Sequence, residues 1–281
     1  MSSCDSCPSS GECNSQENCT RTLPKYGSFK NVIGIISGKG GVGKSTATGI
    51  LAAKLKALGY SVGVLDADIT GPSMPRILGI NTKRAEMIPV PGSEDVQFVP
   101  VETETGIKVI SLNLLTEQED QPVIWRGPLI TGVLNQMYVD TIWGDLDFLL
   151  IDMPPGTGDV ALTVMQSLPI GGMVVVSTPQ DMVSMIVKKV VIMCKKMNIK
   201  VFGVVENMSY VICEKCGEKT RIFSKKSGKE HADILGSPLL QEMPVDLELA
   251  ESVENGSFES YVVNSPKYDE VRDNFLNKIQ F

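Results

Sequence analysis

Positive charge is in short supply in this chain: 26 Lys and Arg stand against 33 Asp and Glu, a formal charge of -7. Non-specific nucleic-acid binding rests on clustered Lys and Arg facing phosphates, so no nucleic-acid partner is expected, and an anionic membrane would repel the surface. No run of eighteen apolar residues occurs, which removes a transmembrane span. The opening MSSCDSCPSSGECNSQENC has neither a basic n-region nor an apolar core. No secretory signal is read there, and the expected compartment is the cytoplasm. Histidine is nearly absent. The one copy, His231, sits in the polar helix start SGKEHADILG, where an exposed or capping role is expected rather than a metal or catalytic one. Internal repeats are also missing.

What is present is a core. Of the 281 residues, 42% are apolar, enough for one large domain. Apolar, β-branched runs recur at 31–37 (NVIGIIS), 61–68, 107–112, 147–152 (DFLLID), 172–178 and 200–207, with helical segments between them. Continuous apolar strands belong to a parallel sheet covered on both faces. The predicted fold class is therefore α/β, a doubly wound, mostly parallel sheet flanked by helices, over residues 29–281. Residues 80–106, rich in Pro, Gly and Glu, read as a surface insertion. The last segment spaces Val271, Phe275, Leu276 and Ile279 helically and reads as a helix docked on the domain.

Seven cysteines in a reducing compartment point to metal ligands or free thiols. Cys4, Cys7, Cys13 and Cys19 lie in a polar stretch, residues 1–28, that only ligands could order. Cys194, in VVIMCKKM, reads as a buried small hydrophobe. Cys213 and Cys216 form an isolated C-x-x-C in SYVICEKCGEKTRIF, half the four ligands that a sulfur-bound metal normally takes. The spacing alone leaves an iron-sulfur cluster, zinc and thiol redox chemistry open.

SGKGGVGKST follows the first predicted strand and opens the first predicted helix, matching G-x-x-x-x-G-K-S from Gly38 to Ser45. Gly38, Gly40, Gly41, Val42, Gly43 and Thr46 are candidate nucleotide contacts through the backbone. Lys44 would reach the outer phosphates of ATP, and Ser45 offers a ligand to Mg2+. Asp152, at the end of DFLLID, is placed to orient that cation through water. Asp66 and Asp68 end the second strand, and Asp68 is a candidate for positioning the attacking water.

Lys39 narrows the reading. A second lysine inside the loop, G-K-G-G-V-G-K-S, resembles the deviant Walker A loop of the MinD, ParA and nitrogenase-iron-protein ATPases. With DADITGPSMPRILG, DMPPGTGD, ENMSYVICEKCG and MPVD in this order, the chain from about residue 29 onward resembles the Mrp/ApbC family of iron-sulfur cluster carrier ATPases. The resemblance implies a homodimer in which Lys39 reaches the partner's nucleotide, and adenine contacts at Asn207 and around Asp246. It also implies a labile [4Fe-4S] cluster bridging Cys213 and Cys216 of both subunits, received from cluster donors and passed to apo iron-sulfur proteins. The tail's C-x2-C-x5-C resembles a ferredoxin-like site of the family's scaffold branch. There the fourth cysteine lies upstream, whereas here Cys19 follows; the resemblance implies a second cluster on the tail. The rival expectation, from a different class, is a ParA/MinD-type positioning switch with a structural zinc in the C-x-x-C.

Overall fold

The computed structural model of the chain describes residues 23–279 apart from 70, 72, 94, 117–126 and 214. The tail cysteines Cys4, Cys7, Cys13 and Cys19 lie outside the described residues. In chain order the elements are β1 (Gly27–Ser37), α1 (Lys44–Ala57), β2 (Val62–Asp66), α2 (Met74–Ile77), β3 (Glu86–Pro89), β4 (Val96–Val99), β5 (Val101–Glu102) and β6 (Lys108–Ile110). They continue as α3 (Leu112–Leu115), α4 (Gly127–Val139), β7 (Gly144–Asp152), α5 (Asp159–Ser167), β8 (Gly172–Ser177), α6 (Asp181–Lys196) and β9 (Lys200–Ile212). Last come β10 (Lys219–Thr220), α7 (Gly228–Leu235), β11 (Leu239–Pro244), α8 (Leu247–Glu254), α9 (Phe258–Asn264) and α10 (Asp269–Leu276).

The six predicted runs become β1, β2, β6, β7, β8 and β9. Their order across the main sheet is β10-β9-β8-β1-β7-β2-β6-β5, with β11 pairing β9 outside that path. The central pairings are parallel, and antiparallel strands, β5 and β10, appear at the two ends. Residues such as Ile33, Ile35, Val64, Leu149, Leu150 and Val175 are fully buried. Helices on both faces explain why these strands carry no polar alternation. Such a sheet collects its functional groups at the carboxyl ends of its strands, where the order reverses. Here β1 lies between β7 and β8, and Asp152 is in register with Ile35 on one side and with Asp66 of β2 on the other.

Three expectations change in detail. Residues 80–106 are not a plain insertion: they contain the β3–β4 hairpin and the edge strand β5. β11 was not expected, because Gln241 and Glu242 interrupt its apolar run. Both are committed to specific partners, Gln241 accepting from Val271 N and Glu242 pairing with Arg221. His231 is neither exposed nor capping. It is 3% exposed on α7 and faces Glu206, while Ser227 and Glu230 form that helix's capping box. The C-terminal helix does dock, burying Val271 and Phe275, and the buried Lys54 of α1 ties it down through Asp269 and the carbonyls of Val263 and Ser265. Cys194 is fully buried, as expected. Among the described residues no helix is long and apolar enough to cross a membrane.

Candidate nucleotide site and cysteine hairpin

The loop from Gly38 to Gly43 turns the end of β1 into α1. Gly41 and Gly43 hold φ of 76° and 84°, the left-handed region that glycine enters without strain. A Cβ at Gly40 or Gly41 would meet nothing within 4 Å, so the backbone there borders open space. α1 starts at Lys44 with no side-chain cap and no acidic residue in its first turn. Its first N–H groups are left for an anion, and the helix dipole adds to the attraction.

Below the loop lies a compact polar network. Lys44 Nζ donates to Asp152 Oδ2 at 2.7 Å and stands 3.5 Å from Asp68 Oδ2. Ser45 Oγ donates to Asp152 Oδ2 at 2.6 Å, and Thr48 Oγ1 to Asp152 Oδ1 at 2.8 Å. Lys44 is 6% exposed and Asp152 fully buried, so each charge depends on the other. Thr48 was not singled out in the sequence, although it lies one helical turn beyond Lys44 and so on the same face. Asp66 is buried beside Asp152, accepting from Met74 N, Ser111 Oγ and Asp68 N. Burial, and then the Asp152 charge, push its carboxyl up to about 7.

The donor set suits a small, hard cation. The Ser45 hydroxyl and the Asp152 and Asp68 carboxylates, all within 3.5 Å of Lys44 Nζ, are hard oxygen donors, the kind that Mg2+ takes together with water and phosphate oxygens. Lys39, by contrast, points away from this network. It is exposed, with Nζ donating to Gln180 Oε1 at 3.1 Å. Asn207 is buried and Nδ2 donates to Val42 O at 3.0 Å, gripping the loop from behind. A Cβ on Gly43 would run into that amide, so glycine is required there twice over. Asp246 caps α8 through Leu249 N and also accepts from Tyr261, Tyr268 and Lys267. These donors hold its carboxyl below the usual range despite its burial.

Cys213 and Cys216 lie in the turn between β9 and β10. Cys213 N donates to Glu218 O and Gly217 N to Cys213 O, with Gly217 at φ 72°. Both thiols are exposed. Among the described residues no cluster of three or more Cys, His, Asp or Glu forms a metal site, so the hairpin offers two sulfur ligands and no third.

Comparison with known proteins fits this geometry. A family model described as NUBPL iron-transfer P-loop NTPase, within the ParA group, matches residues 28–280. The chain belongs to this family. Several relatives carry the name iron-sulfur cluster carrier protein, two of them as follows. The one from Clostridium perfringens is 61% identical over 277 residues, covering 95% of this chain and 97% of that one. The one from Methanocaldococcus jannaschii is 41% identical over 259 residues, covering 90% and 87%. Among solved structures, a nucleotide-binding protein from Archaeoglobus fulgidus in complex with ADP is 37% identical, with a TM-score of 0.73 over 86% of this chain and 91% of that one. The cell division ATPase MinD of Pyrococcus furiosus, 21% identical at a TM-score of 0.59 over 89% and 100%, shares the fold. The chain is thus an iron-transfer P-loop NTPase, and the resemblance read from Lys39 and the DADITGPS and DMPPGTGD blocks holds.

Proposed function

We propose that the chain is an ATP-hydrolysing iron-sulfur carrier that holds a [4Fe-4S] cluster between two copies of itself and passes it to apoproteins. The observation that carries this reading is the incomplete cysteine site. One chain presents two exposed thiols at a hairpin tip, and a two-fold axis through that tip would gather four. Four thiolates suit a cubane cluster, and exposure suits a cargo that has to leave. The relatives' name, cluster carrier, supports the same reading.

In this scheme each residue has a task. The loop amides from Gly38 to Thr46 take the phosphates, Lys44 neutralises charge on the outer ones, and Ser45 holds Mg2+ with water oriented by Asp152. Asp68, 3.5 Å from Lys44, positions the attacking water. Lys39, already at the surface, reaches the partner's nucleotide. By the family resemblance the base lies against the segments of Asn207 and Asp246, whose side chains are engaged with Val42 and in capping α8. The tail cysteines Cys4, Cys7, Cys13 and Cys19 supply a second cluster site.

Anaerobic reconstitution of the full chain tests this. The parent should hold labile iron and sulfide at both sites, and Cys213→Ala with Cys216→Ala should lose the hairpin's share while keeping nucleotide binding. Equal iron and sulfide in parent and variant would reject the carrier reading. Tightly held zinc in its place would favour a structural staple in a positioning switch.

A further inference from the structure

The cysteine hairpin is fixed to the nucleotide site at both of its ends. On the way out, β9 passes Glu206, the last of its residues paired with β8, opposite Ser177. Next comes Asn207, whose amide holds Val42 O of the phosphate loop, and Asn207 Oδ1 accepts from Met208 N, which sits at φ 56°. On the way back, the chain after β10 is anchored to two carboxylates that are register partners on β9 and β11, Glu206 and Glu242. Arg221 Nη2 donates to both oxygens of Glu242 at 2.8 and 3.0 Å, and Gly228 N donates to the same carboxylate. His231 Nδ1 donates to Glu206 Oε2 at 2.5 Å, with Ser224 Oγ 3.3 Å from Nε2. Ser209 Oγ fills Glu206 Oε1 at 2.6 Å.

Glu206 and His231 are 2% and 3% exposed. A buried hydrogen-bonded pair is a poor way to gain stability, since apolar groups of the same shape can do nearly as well. What such a pair supplies is a fixed relation between two segments: remove one partner and the other is stranded. Here the segments are the strand end that grips the phosphate loop and the return limb of the cysteine hairpin.

We propose that Glu206 and His231 are positioning residues that transmit occupancy of the phosphate loop to the two thiols. Nucleotide moves Val42, Val42 moves Asn207, and the Glu206–His231 pair carries that shift to the limb ending at Cys216. The inference rests on the carrier reading for its purpose, but its test needs no cluster. Reduced, cluster-free full-length chain is alkylated with iodoacetamide, with and without MgADP or a non-hydrolysed ATP analogue. Modification is followed peptide by peptide, so the tail cysteines do not interfere.

In the parent, nucleotide should change the alkylation rate of Cys213 and Cys216 by about five-fold or more, the lower range of a typical coupling between sites. His231→Leu should bring that ratio near one with nucleotide affinity kept, and His231→Gln, which can still donate to Glu206, should restore most of it. A purely structural role would lower the melting temperature and leave the ratio alone. Should His231→Leu not fold, Arg221→Ala decides, because it releases the same limb from a half-buried position. A parent without a nucleotide response, or a folded variant that keeps all of it, would overturn the inference. The carrier reading falls on a different result, iron and sulfide retained without the two cysteines.

Discussion

The phosphate loop and the cysteine hairpin differ in how completely one chain builds them. Beneath the loop the side chains are already joined: Asp152 alone accepts from Lys44, Ser45 and Thr48. At the hairpin the two cysteines are exposed, and among the described residues no group of three or more Cys, His, Asp or Glu completes a metal site. The first site is finished before its ligand arrives, which is how preorganised electrostatic sites work. The second presents two of the four ligands that a sulfur-bound metal normally takes.

Substitutions can break this contrast. Asp152→Ala should have the largest effect, leaving the Lys44 charge buried with Asp68 3.5 Å away as its nearest carboxylate. A loss of about 3–5 kcal/mol in urea unfolding is expected, with hydrolysis abolished. A loss below about 1 kcal/mol would mean that the network is not the closed unit described. Asn207→Ala comes next. It takes the donor from Val42 O, and a cost of about 1–3 kcal/mol together with weaker nucleotide binding by titration calorimetry is expected.

Asp66 sharpens the contrast through pH. Its carboxyl titrates at about 7 in the fold and near 3.8 when exposed. Between those values the folded chain keeps a proton that the unfolded chain has released, so stability falls as pH rises from about 4 to 7 and is flat above. Asp66→Asn should remove that slope and make the nucleotide-free protein more stable at pH 8 by about 1 kcal/mol or more, measured by thermal unfolding across pH. Cys213→Ala with Cys216→Ala should have the smallest effect, within about 0.5 kcal/mol of the parent, as expected of exposed positions. A large loss there would show the hairpin to be a structural unit after all.

The same contrast decides what could be read from the sequence. The loop was visible because its chemistry is local: glycines, lysine and serine follow one another, and Asp66 and Asp152 each close a run of apolar residues that reads as a strand. Thr48 follows from helical spacing once Lys44 is placed. His231 was misread because its partner, Glu206, is 25 residues away and meets it only in the fold. β11 escaped because Gln241 and Glu242 spend their polarity on Val271 and Arg221, and a periodicity argument cannot see such debts settled. The cysteine pair read as half a site, and the described fold adds no third ligand within the chain.

The length of β9 has a mechanical consequence. The strand runs 13 residues; its pairing with β8 ends at Glu206 and its pairing with β11 at Tyr210, so Val211 and Ile212, joined to β10, carry the hairpin past the sheet like the blade of an oar. The three residues from Tyr210 to Cys213 span about 10 Å at the rise of an extended strand. A turn of about 10° at Tyr210 would carry the sulfurs through about 2 Å, far more than the roughly 0.2 Å by which a metal–ligand distance can vary. A motion that leaves the sheet's pairing intact is thus large at the tip on the scale of a metal–sulfur bond.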